Sequence, residues 1–165
     1  MKTTLICIIT ITVLLLAACH QRQPFLTTKK IEAINKEVNA AIKQGDLSVL
    51  EQYLIADTEI YIDLDPDPTT GVKKIDYSEF KKLAQLSISM LDNMDIEEEI
   101  ISIDLDDSND QATLKVKAKV RTTMLGMIIS EESTSTTVFG VIDNEIKILK
   151  ISDELITLKT EQITE

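Results

Sequence analysis

The sequence predicts an α+β fold, three N-terminal helices packed on a curved antiparallel sheet, and two apolar periods, one helical and one of strands, carry that prediction. Apolar side chains recur at helical spacing in the first half: Ile31, Ile34, Val38, Ala41 and Ile42, then Leu47, Leu50, Tyr53 and Leu54, then Phe80, Leu83, Ala84, Ile88 and Leu91. Later the period becomes two, in Ile101, Ile103 and Leu105 and in Ala112, Leu114, Val116, Ala118 and Val120, as in strands with one buried face. Helices gathered ahead of long strands cover one face of a sheet.

The elements follow in order. Thr28 can cap the first helix and Gly45 end it; Asp46 caps a shorter second one. In "TEIYIDLD", residues 58–65, Ile60, Ile62 and Leu64 alternate as a strand that "DPDPTTG" stops. Asp76 and Glu79 form a capping box for the third helix. Strands are expected over 95–106 and 111–124, joined by "DSND", and over about 132–142 and 145–152, joined by Asp143-Asn144. Keeping both apolar sets on one face sets Leu105 opposite Ala112, Ile103 opposite Leu114 and Ile101 opposite Val116. That register puts Glu98 opposite Lys119 and Ser102 opposite Lys115 on the other face.

The amino terminus has a different character. Met1-Lys2 opens with a positive charge, and residues 3–18 carry none, the layout of an export signal. This run is shorter and more interrupted than the roughly 20 apolar residues of a spanning helix. Leu16-Ala17-Ala18-Cys19 resembles the lipobox of bacterial lipoproteins. The resemblance implies a signal peptide over 1–18, discarded with Cys7, and a lipidated Cys19. It further implies a tether over 19–28 and a folded domain over 29–165. His20 in place of aspartate after the cysteine implies the outer membrane, facing the periplasm, in a Gram-negative cell.

Acidic residues outnumber basic ones 28 to 17, for a net charge of −11, so nucleic acid is not an expected partner. The only histidine is His20, and both cysteines precede it, which removes zinc sites, disulfides and histidine-based acid/base chemistry from the body. No cofactor is expected.

The stretches "IEAINKEVNAAIKQGDLSVLEQYLIADTEIYI" and "TTVFGVIDNEIKILKISDE" resemble the nuclear-transport-factor-2-like superfamily, which includes polyketide-cyclase-like and ketosteroid-isomerase-like proteins. Asn144-Glu145-Ile146 departs from the Gly-Lys-Trp that many members carry in the last hairpin. The resemblance implies a cone-shaped cavity, toward which Tyr53, Tyr61, Phe80 and Phe139 would project, and often a dimer through the sheet. Lys115, Lys117, Lys119 and Arg121 make the outer face too polar for a hydrophobic dimer interface, so a monomer or weak dimer is expected. That stripe should be neutralised by Glu98 and Asp104. Asp63, Asp65 and Asp67 are spaced like a calcium loop, but Pro68 and Lys74 stand where Gly and Glu belong, and a solvated acidic turn is expected. "MLGMII", residues 124–129, should lengthen the strands around it.

An isomerase-like reaction needs a carboxylate with a raised pKa beside a donor such as tyrosine, and no spacing selects such a pair. The expectation is therefore a non-catalytic cell-envelope lipoprotein, held to the membrane by its lipid, that binds or supports an envelope protein partner. The second reading is a carrier or sensor of a small apolar ligand in the cone, and a third is an isomerase- or cyclase-like enzyme.

Overall fold

Thr27, in extended backbone, accepts a hydrogen bond from the Lys30 N–H at 3.3 Å and so starts α1, Thr28–Lys43. Gly45, at φ +74°, turns the chain out of it, and a Cβ there would meet Ile88 at 3.2 Å. Asp46 accepts the Ser48 N–H at 2.9 Å ahead of α2, Ser48–Tyr53, which runs straight into β1, Leu54–Ile62. After β2, Lys73–Ile75, Asp76 accepts the Glu79 N–H at 2.7 Å to open α3, Tyr77–Met90. Glu79 itself pairs with Lys73 at 3.1 Å. Four long strands complete the chain: β3 (Asn93–Leu105), β4 (Gln111–Met124), β5 (Met127–Ile142) and β6 (Glu145–Gln162). This computed structural model describes residues 26–63, 71–90, 93–124 and 126–162. The stretch expected to be a signal peptide, Cys19, Asp65 and Asp67, and Leu125 lie outside them.

The six strands form one sheet in the order β2-β1-β6-β5-β4-β3, with β1 parallel to β6 and every other pairing antiparallel. The expected order of helix, helix, strand and helix is present, with β2 added ahead of α3, so the helices do not form an N-terminal trio of equal weight: two are long, and α2 has six residues. The unforeseen β2 is short and mostly exposed, with only Ile75 buried, too little for an apolar period to show.

The packed core lies at one end of the sheet. Ala112, Leu114, Phe139 and Ile148 meet Ile31 and Ile34 of α1 and Leu50 of α2. Leu26, 1% exposed, plugs this end, its N–H bonded to the Asn109 carbonyl at 3.1 Å. Packing thus begins ahead of residue 29.

Leu105 does lie opposite Ala112, Ile103 opposite Leu114 and Ser102 opposite Lys115, but a bulge follows and Ile100, not Ile101, faces Val116. One extra residue inverts the strand beyond it. Glu98 accordingly faces α1, where Asn35 and Asn39 donate to its carboxylate at 2.8 and 2.5 Å. The lysine stripe is neighboured instead by Glu99 opposite Lys117, Glu97 opposite Lys119 and Asp95 opposite Arg121. Met127, Ile128 and Ile129 belong to β5 and are half-buried.

Candidate functional site

Alternation from the buried Phe139 brings Thr137, Ser135, Ser133 and Glu131 onto the helix-facing side of β5. On β6 a bulge at Leu149 separates Ile148, opposite Phe139, from Lys150, opposite Val138. Past it Ile151, Asp153 and Leu155 take the inner face, opposite Thr137, Ser135 and Ser133. Gly140 makes room for the bulge, since a Cβ there would sit 2.6 Å from Leu149 Cδ1. Beta-4 contributes Val116, Ala118 and Val120 opposite Ser135, Ser133 and Glu131. Ile62 of β1 flanks Asp153, and the Asp63 N–H bonds the Asp153 carbonyl at 3.1 Å.

Two half-buried carboxylates thus share one face with aliphatic side chains and with the hydroxyls of Ser133, Ser135 and Thr137. Burial pushes the Glu131 carboxyl above the ordinary range, and the charge of Asp153 adds to the shift. Burial likewise raises Asp153; a hydrogen bond with Ser133 partly offsets this, and the charge of Asp63 reinforces it. A carboxylate held this way takes up a proton more readily, and once protonated it can donate a hydrogen bond to a bound molecule. Apolar walls with a few placed polar groups are what a small-molecule site requires.

The four aromatic residues drawn from the family resemblance occupy different places. Phe139, 2% exposed, is part of the core beside this face. Phe80 packs with Leu47, Leu50, Leu54 and Tyr77 around a space of only about 10 Å³, barely enough for one water. Tyr53 lines a separate open groove of about 740 Å³ between α1, the end of α2 and the start of β6, with Lys30, Glu37, Glu145 and Lys147. Its hydroxyl donates to Glu37 at 3.3 Å, and burial and the Glu37 charge raise its pKa. Tyr61 lies on the outer face of the sheet, with Lys74 and Lys150 over its ring at 5.4 and 4.8 Å.

Glu131 and Asp153 escaped the sequence reading. Counting by twos from Phe139 reaches Glu131, and Gly140 inside a strand is the signal for the bulge that turns Asp153 inward.

No family model matches the sequence, and no curated protein does. Solved structures do match. A hexachlorocyclohexane dehydrochlorinase, LinA type 2, superposes with a TM-score of 0.63 at 13% identity over 79% of this chain and 86% of its own. A ketosteroid isomerase-like protein from Erwinia carotovora atroseptica gives 0.61 at 13% over 77% and 94%. An NTF-2-like protein of unknown function from Silicibacter pomeroyi gives 0.53 at 14% over 79% and 99%. The fold is therefore nuclear-transport-factor-2-like. The same comparison corrects the expectation of a non-catalytic module, because a structural neighbour is a named dehydrochlorinase. The physical reason is that lack of histidine excludes little in a fold whose inner face can raise carboxylate pKa values by burial.

Proposed function

We propose that this nuclear-transport-factor-2-like domain belongs to an exported, lipid-anchored cell-envelope protein and binds a small, mainly apolar molecule on the inner face of its sheet. Glu131 and Asp153 would supply the polar recognition. The observation that carries the binding reading is their shared face: two carboxylates are kept half-buried among Val116, Ala118, Val120 and Ile151, at a cost that a bound hydrogen-bonding group would offset. The lipobox-like Leu16-Ala17-Ala18-Cys19 and the lack of charge across residues 3–18 support the anchor. A second reading, proton transfer to or from the bound molecule, is favoured by the raised pKa of both carboxyls.

Native mass spectrometry of the chain purified from its own envelope tests the binding reading. A retained small-molecule mass, lost when Glu131→Gln and Asp153→Asn are combined, is expected; an empty protein that leaves ligand extracts unchanged would refute it. Cys19→Ala should release the chain from the membrane fraction and abolish lipid labelling, and an unaltered distribution counts against the anchor.

A further inference from the structure

We infer that the packed end of the sheet faces the bilayer and that the Glu131–Asp153 face opens away from it, toward the aqueous space. The inference rests on the anchoring reading above and specifies its geometry. Leu26 is buried at the packed end and hydrogen-bonded to Asn109 in the β3–β4 turn. That turn in turn touches the end of β5 through the Val141 N–H and the Asp110 carbonyl at 3.1 Å. A lipid on Cys19 would be joined to this fixed point by seven residues, at most about 25 Å of extended chain.

Strand length sets the other dimension. Glu131 lies opposite Val120, nine residues along β4 from Gln111, and so about 30 Å from the tethered end. The β4–β5 tip, Met124 to Met127, is about 45 Å away by the same rise. The tether is thus shorter than the body it holds.

Charge keeps the body from lying down. Removal of Lys2 with the leader leaves 16 basic and 28 acidic residues, a net of −12, which anionic headgroups repel. Asp106, Asp107, Asp110, Asp143 and Glu145 crowd the two turns of the tethered end, so the same repulsion holds that end off the headgroups, within the reach its tether allows. The ligand, on this geometry, arrives from the aqueous space and not from the bilayer that holds the protein.

The test uses the full, exported, lipid-modified chain carrying Asp107→Cys or Glu161→Cys, both exposed positions at opposite ends of the sheet. Cleavage removes Cys7 and lipidation blocks Cys19, so each introduced thiol takes a fluorophore alone. In vesicles of phosphatidylethanolamine and phosphatidylglycerol with a headgroup-linked nitroxide, the label at position 107 should be quenched several-fold more than that at 161. Equal or reversed quenching, on chains whose mass shows lipid at Cys19, overturns the orientation alone. A mass without lipid overturns the anchoring reading and the orientation with it.

Discussion

The two ends of β5 and β6 are built from the same pair of strands and behave as different materials. At the packed end Phe139 and Ile148 face each other beneath α1 and are 2% and 3% exposed. Toward the other end the same face carries Asp153, Glu131 and Leu158, the last 42% exposed. The cover differs along the pair: Ile31 and Ile34 of α1 and Leu50 of α2 pack with Phe139 and Ile148, while Asp153, opposite Ser135, and Glu131, farther along, are half-hidden. An enclosed core thus holds the sheet in shape while a partly covered stretch of it remains available for recognition.

Removing a core side chain should break this contrast most severely. Phe139→Ala is expected to cost about 3–5 kcal/mol in urea denaturation, whereas Leu158→Ala costs about 1 kcal/mol or less; equal losses would mean that the two ends are packed alike. Gly140→Ala comes next. Its Cβ would collide with Leu149, for a destabilisation of about 1–3 kcal/mol, and because that bulge aims Asp153 inward, ligand retention should fall with it. Glu98→Ala removes the acceptor shared by Asn35 and Asn39 and should cost about 1 kcal/mol; no change would show that α1 does not depend on the bulge at Ile101.

The smallest effect is a slope. The folded-state pKa values of Glu131 and Asp153 lie above the ordinary 4.5 and 3.8, so between each ordinary value and its raised one the folded chain binds more protons than the unfolded chain. Stability from these two groups therefore falls as pH rises through that interval and is greatest below it. Asp46 and Asp106, held below 3.8 by hydrogen bonds from Ser48 and Gln111, act in the opposite sense, losing their contribution as pH falls through their lowered values. Combining Glu131→Gln with Asp153→Asn should flatten the weakly acidic part of the profile, read as urea midpoints from about pH 2 to pH 8, and leave the strongly acidic limb in place.

Several of these features were legible in the residues. Gln111–Met124 forms the strand its alternation predicts, and Leu105 meets Ala112 as the shared apolar face demands. Asp143 and Asn144 take positive φ, 50° and 64°, in the hairpin turn that joins β5 to β6. The expectations failed where the strand period itself was interrupted. Ile101 looks like one more inward residue of an alternating run, yet it is the bulged residue, 53% exposed, and Glu98 changes face behind it. Leu149 does the same to β6, which is how Asp153 became part of the candidate site unannounced.

The sequence by itself determined the α+β class, most helix and strand positions, the two hairpin turns bounding the packed end and the acidic surface. These depend on period, capping residues and backbone preference within a few neighbours, all written locally. Only the tertiary structure decided which face Glu98 and Asp153 occupy and that Glu131 and Asp153 are buried enough to hold their protons more tightly. A bulge is chosen by pairing with another strand, and desolvation is imposed by side chains distant in the chain, so neither can be read from the residue it governs.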